Sequence, residues 1–212
     1  MTRLLDDGWR VVVPWIAEHE LERIERRPGL ELIRADVSDP AGVETVVSAA
    51  VASDGAPLGG LVNLVGGFAM GGRVDETSVD EFEKQFALNL RPTYLMTQAA
   101  LKEMVGNGGG AIVCVGSRAA VAPFKGAAGY IASKAAVIAF AQAVAVEYKD
   151  DGIVCNVILP SVIDTPANRA SMPNADHARW VQPSDIAKVI SHLLSPDAAV
   201  TSGAVIPVYG RA

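Results

Sequence analysis

Apolar and polar positions along this chain follow two rhythms. Residues 111–115 (Ala-Ile-Val-Cys-Val) form an unbroken apolar run of strand length, and residues 153–159 a second one interrupted only by Asn156. Such runs fit strands buried on both faces of a parallel sheet. Residues 9–13, 30–35, 58–65 and 204–208 supply further strands. Pro14 cannot donate to a central ladder, so the first of these is expected to end there. Between the strands lie helical stretches. Residues 2–7 read as the tail of a helix stopped by Gly8. Residues 18–27 are charged and helical, and Ser38-Asp39-Pro40 opens a helix running to about residue 52. Residues 79–104 form a long helical region in which Pro92 marks a kink or a break. Residues 130–148 are alanine-rich and helical, and Pro183 starts another helix to residue 194. Strands alternating with helices predict an α/β fold with a parallel sheet and right-handed crossovers. No repeat or long linker divides the 212 residues, so one domain is expected.

In such sheets ligands gather beyond the carboxyl ends of the strands. Asp36, Asn63, Gly66, Ser117 and Pro160 all fall at or near such ends. Tyr130 and Lys134 are four residues apart and share one helix face. A phenol ordinarily loses its proton near pH ~10, and a neighbouring ammonium lowers that value. A hydroxyl at Ser117 could hold a carbonyl oxygen beside the phenol. Together these groups suit proton exchange at an oxygen while hydride moves at carbon. Simpler uses exist for each residue. Ser117 could cap a loop, Asn89 could bond backbone within its helix, and Lys134 could be solvated. Asn63 and Asp36 could be turn residues.

From Trp9 to the C-terminus the chain resembles the short-chain dehydrogenase/reductase family. Ser117 precedes Tyr130 by thirteen residues and Lys134 follows four later, the family's catalytic spacing. Asn89 matches its fourth catalytic position. Asn63-Leu64-Val65-Gly66 resembles its Asn-Asn-Ala-Gly element, and Asp36-Val37 its adenine-contacting pair. Residues 160–166 resemble the segment bordering nicotinamide, and residues 202–210 the closing strand. The resemblance implies a doubly wound, Rossmann-like sheet and a carbonyl–alcohol oxidoreductase using NAD or NADP. It assigns catalysis to Asn89, Ser117, Tyr130 and Lys134. Tyr130 is then the general acid or base, Lys134 lowers its pKa and binds ribose, and Asn89 holds a relay water. Cofactor binding falls to Asp36, Val37, Asn63, Gly66, Tyr130, Lys134, Pro160, Ile163 and Thr165. A homodimer or homotetramer is implied, with helices at 82–104 and 130–148 across one interface and the strand near Val205 across another. Residues 164–176, with Trp180 after them, resemble the corresponding segment of dihydropteridine reductases. Arg169, Met172 and Trp180 could line a pocket for a flat molecule, or Met172 and Trp180 could simply pack this segment on the core.

The family's first strand and its glycine-rich turn have no counterpart before the first helix. A central strand's absence leaves unpaired backbone on both neighbours, at ~1–3 kcal/mol for each buried group. Three arrangements would answer this: a start upstream of Met1, an inward shift of strand 9–13 onto strand 61–65, or cover from another chain. The pyrophosphate cradle is also lost, so dinucleotide binding is expected to be weak or absent. Pro14-Trp15 stands where the family discriminates NAD from NADP, and Trp15 could stack on adenine or fill the vacant space. The rival reading is a catalytically inactive protein of the same fold acting through oligomerisation.

Composition narrows the field further. Half of the residues are hydrophobic and 20% charged, which excludes a disordered chain. The net charge is −6 and no basic stripe is present, which argues against a nucleic-acid partner. Cys114 and Cys155 sit in apolar runs and read as buried free thiols of a reducing compartment. Residues 1–7 lack the apolar core of a secretory signal, and no run approaches the ~20 apolar residues of a membrane span. A cytoplasmic protein with a small-molecule substrate, no membrane partner and no metal is expected.

Overall fold

A computed structural model describes residues 1–52 and 56–211. In chain order the elements are α1 (Thr2–Asp6), β1 (Val11–Trp15), β2 (Leu30–Arg34), α2 (Pro40–Val51), β3 (Gly60–Asn63), α3 (Val79–Asn89), α4 (Arg91–Gly106), β4 (Gly110–Val115), α5 (Ala128–Glu147), β5 (Ile153–Pro160), α6 (Pro166–Ser171), α7 (Pro183–Leu193) and β6 (Val205–Val208). All strand pairs are parallel, as the apolar runs predict. Side chains of β4 and β5 alternate between two cores, following the two-residue period of a strand. Ile112, Cys155 and Val157 pack with Met104 and Val137 on the α4/α5 side. Val113 and Ile158 pack with Ile186, Ile190 and Leu193 of α7 on the other. Both cysteines are free and buried in the first layer.

The sheet is split. One piece has the order β1-β2 and the other β3-β4-β5-β6. The inward shift that would pair strand 9–13 with strand 61–65 does not occur. Side chains hold the two pieces in place without joining their backbones. The Trp9 ring lies at the start of β3, 3.3 Å from where a Cβ on Gly60 would sit. On one face Leu4, Trp9 and Val62 pack on the α7 core. On the other, Val43, Val46 and Val47 of α2 pack with Val12 of β1 and with Leu95 and Met96 of α4. The accessible surface is 11697 Å². A folded monomer of 22.1 kDa is expected to expose about 9,300 Å². The excess fits a sheet that does not close and a helix layer with apolar residues in water.

Pro14 does not end β1, which continues through it to Trp15. The backbone shows why. Val11 donates to Gly29 and Trp15 accepts from Ala35, so odd positions of β1 face β2. Pro14 therefore turns its missing N–H to the open edge, where no partner strand needs it. The same alternation leaves Gly60 and Val62 of β3 facing the gap, because Gly59 accepts from Ala111 of β4. The amides of Val12 and Val62 are expected to exchange hydrogen for deuterium within seconds to minutes, while those of Val113 and Val157 stay protected. Slow exchange at Val12 and Val62 would mean that the gap is filled in solution.

One helical expectation needs correction. Residues 18–27 give only a short 3₁₀ helix, Glu18–Arg23, with no buried residue to hold a longer one. The region 79–104 takes the break expected at Pro92 and is two helices. Ser78 and Glu81 form a reciprocal cap that starts α3. The break falls at Leu90, because Pro92 lacks the N–H that a continuing helix would use and sits in the first turn of α4 instead. α5 is long and apolar enough to cross a membrane by length and composition. Here Ser133, Lys134, Val137 and Val144 are buried, and Val137 and Val144 join the α4/β5 core.

Candidate active site

Ser117 lies two residues beyond the end of β4, where Gly116 still bonds to Ile158 of β5. Its Oγ accepts from the Ala119 backbone at 3.2 Å, which fixes the turn leading toward α5. Tyr130 and Lys134 occupy the first turns of α5 on the face toward β4. The Lys134 Nζ donates to the Val115 carbonyl at 2.9 Å. The Ser117 hydroxyl is near enough to Tyr130 to favour its phenolate. The three predicted groups therefore share the carboxyl end of β4.

Their electrostatics differ from expectation in one respect. Burial pushes the Tyr130 phenol above its ordinary value, and the nearby Ser117 hydroxyl offsets this only in part. Lys134 does not lower it here, because its ammonium is turned to the Val115 carbonyl. Burial is also the main influence on Lys134 itself. It brings the amine down to about 8, against a smaller opposing influence from Cys114. Across the window from about 8 to the unperturbed 10.5 the unfolded chain holds the extra proton, so stability due to this position rises with pH there. Lys134→Met is expected to remove that rise and to stabilise the fold at pH 7 by on the order of 2 kcal/mol, since an uncompensated buried cation is costly. Urea unfolding at pH 7 and pH 9 checks this, and an unchanged pH profile would show that Lys134 is solvated.

Asn89 is fully buried at the end of α3. Its Oδ1 accepts from Gly67 at 3.0 Å. Its Nδ2 donates to Gln85 at 3.1 Å and to Ser133 at 3.2 Å. The side chain thus ties the loop after β3 to α3 and α5, so its amide is occupied by structure. Gly66 lies beside it. A Cβ there would stand 2.6 Å from Asn89 Oδ1 and 3.2 Å from Lys134 Nζ, so only glycine lets this loop run so close to the ammonium.

The other assigned residues divide. Pro160 ends β5 and is buried, and Ile163 follows it in a single bridge to Val181. Asn63 turns away from the crevice and bonds Thr97 at 2.9 Å inside the core. That Asn63 side chain is no ligand contact, because a strand residue at this point alternates inward. Val37 likewise buries its side chain with Val43, Val46 and Val47. Asp36 is exposed and bonds the Ser38 amide at 2.8 Å, a turn cap that also holds its carboxyl below the usual range. Thr165 caps α6 by accepting from Asn168 at 3.2 Å.

Of the two uses open to Arg169, Met172 and Trp180, packing of the segment on the core describes Trp180, while Met172 stays exposed. Arg169 is held by Asp164, whose carboxyl this pairing and Gln182 keep well below the ordinary range. Trp180 is buried, its ring 4.4 Å from that of His177. Trp15 stands under the Arg34 guanidinium at 5.7 Å. Phe68 and Phe124 were not anticipated. Phe68 meets the Tyr130 ring edge-on at 5.0 Å and lies 6.3 Å from Phe124. An aromatic directly after Gly66-Gly67 was the available signal.

The fit to a dinucleotide is uneven. Lys134 spends one of its donors on Val115 and has others for hydroxyl groups near Gly66. At the other half of the crevice, the described residues place no strand between β1 and β3 and therefore no strand–turn–helix cradle for a pyrophosphate.

A parallel α/β sheet with this serine, tyrosine and lysine at its carboxyl edge defines an oxidoreductase of the short-chain dehydrogenase/reductase family, and the chain belongs to it. Residues 2–210 match the family model described as enoyl-(acyl carrier protein) reductase. The 2-(R)-hydroxypropyl-CoM dehydrogenase of Xanthobacter autotrophicus is 30% identical over 99% of this chain and 90% of its own length. Among solved structures, ElxO with NADP bound superposes with a TM-score of 0.89 at 25% identity, covering 99% of this chain and 90% of that one. The 3-ketoacyl-(acyl-carrier-protein) reductase of Brucella melitensis complexed with NADH gives 0.86 at 27%, with the same coverage.

Proposed function

We propose that this chain interconverts a carbonyl and an alcohol, with a nicotinamide dinucleotide as hydride carrier. The observation that carries this reading is the placement of Ser117, Tyr130 and Lys134 at the carboxyl end of β4. The dinucleotide, when bound, supplies or accepts hydride at the substrate carbon. Ser117 holds the substrate oxygen, and the Tyr130 hydroxyl gives it a proton in reduction or takes one in oxidation. Lys134 binds ribose hydroxyls and supplies positive charge below the site. Asn89 keeps the Gly66–Gly67 loop at the right height. Arg34, exposed beside Trp15 at the carboxyl end of β2, favours NADP by offering a cation to its extra phosphate. NADP on ElxO and NADH on the Brucella reductase support a nicotinamide cofactor in general.

The split sheet favours a second reading, a catalytically inactive protein that keeps the crevice and acts through oligomerisation. Self-association is part of both readings. Phe86, Leu90, Tyr94 and Phe140 line an apolar groove on the α3, α4 and α5 surface, the face assigned to a homodimer or homotetramer. NAD(P)H consumption with ketones, aldehydes and quinonoid pterins decides between them. Turnover with any of these at millimolar cofactor supports the enzyme. None at all would leave the inactive protein.

A further inference from the structure

The mouth of the site carries more exposed aromatic surface than proton transfer needs. Phe68 is 56% exposed and Phe124 47%. They come from separate loops, one after β3 and one between β4 and α5. The two loops are clasped. Gly71 donates to the Gly126 carbonyl at 2.7 Å. Gly126 has a φ of +79°, and a Cβ there would meet the Gly71 oxygen at 2.7 Å and Met70 Cε at 3.7 Å. The clasp therefore depends on glycine and holds Met70 and Phe68 against the Phe124 loop. Phe68 in turn presents its ring at 89° to Tyr130, the edge-to-face geometry that aromatic pairs prefer.

Large apolar side chains left in water beside a polar centre mark a surface that a ligand covers. We infer that Phe68, Phe124 and Met70 form the seat for the substrate's side group, and that this group is an aryl or similarly flat apolar ring attached directly to the reacting carbonyl. The polar end of such a molecule lies at Ser117 and Tyr130. Its ring then lies one ring's thickness away against Phe68, with the polarizable Met70 thioether alongside. A ketone with only small alkyl groups reaches the hydroxyls but leaves both phenylalanines wet. The inference deepens the carbonyl reductase reading and rests on it.

The test compares acetophenone with butanone as substrates, and measures acetophenone binding by ligand-observed NMR without cofactor. The expected kcat/KM is at least tenfold higher for acetophenone. Phe68→Ala is expected to reduce that ratio about tenfold, through KM more than kcat, and Phe68→Leu to restore part of it. Gly126→Ala, which opens the clasp, is expected to lower the ratio in the same direction. Phe68 is largely exposed, so its removal leaves the core intact, and circular dichroism verifies that each variant is folded. Equal or lower efficiency with acetophenone, or a ratio unmoved by Phe68→Ala, overturns the aromatic seat while leaving the oxidoreductase reading in place. If no carbonyl is turned over, acetophenone binding that Phe68→Ala abolishes upholds the seat and overturns the activity. Absence of both turnover and binding overturns the seat.

Discussion

Tyr130→Phe is expected to lower carbonyl reduction by roughly a thousandfold, in line with the 10²–10⁴ that a positioned acid or base contributes. The substitution removes one oxygen and keeps the ring. The contact with Phe68 at 5.0 Å therefore survives, and folding should change by less than about 1 kcal/mol. Only the proton donor is lost. Turnover within tenfold of the parent would place the donor elsewhere. The direction of the Tyr130 shift adds a pH signature. Burial holds the phenol protonated through neutrality and beyond its ordinary value. Reduction, which needs the acid form, should be flat from pH 6 to near 8. Oxidation of the alcohol, which needs the phenolate, should rise with pH over the same range. Lys134 loses its charge as pH passes about 8, so reduction should begin to fall there.

The second large effect is on cofactor affinity. NADH is expected to bind with a dissociation constant on the order of a millimolar, and NADPH somewhat more tightly through Arg34. Two charge-assisted hydrogen bonds to a pyrophosphate are worth ~3–6 kcal/mol, a factor of roughly 10²–10⁴ in affinity. Among the described residues no strand or turn between β1 and β3 supplies them. What remains is the ribose end at Lys134 and Gly66. Fluorescence titration with each dinucleotide gives the answer. A constant of a few micromolar would show that the crevice closes around the phosphates in a way the split sheet does not indicate.

Much of the candidate site was legible because it is local. Ser117, Tyr130 and Lys134 lie within one strand–loop–helix unit, and helical geometry alone places Tyr130 and Lys134 on one face. The parallel strands were legible for a similar reason, since a strand covered on both faces has little choice but to be apolar throughout. Residues defined by what lies opposite them were less legible. Asn63 and Asp36 look alike as polar residues at strand ends, yet one faces Thr97 in the core and the other caps a turn in water. Asn89 was singled out, but its partners Gly67 and Ser133 come from two other segments. For Trp180 a pocket wall and core packing were equally open and the structure buries it, while Phe68 meets Tyr130, a residue sixty-two positions away.

By itself the sequence determined most of the order of strands and helices, the break before Pro92, and the side chains that one strand–loop–helix unit brings to the carboxyl end of β4. These follow from periodicity, from proline's missing donor and from side-chain chemistry, all of which act over a few residues. Tertiary structure alone decided that the sheet stays in two pieces, that Pro14 lies harmlessly on an open edge, that Lys134 turns to a carbonyl, and that two distant loops meet to set Phe68 between Phe124 and Tyr130. Those outcomes depend on which backbone edge or side chain arrives from elsewhere in the chain, and packing on both faces of the sheet settles that.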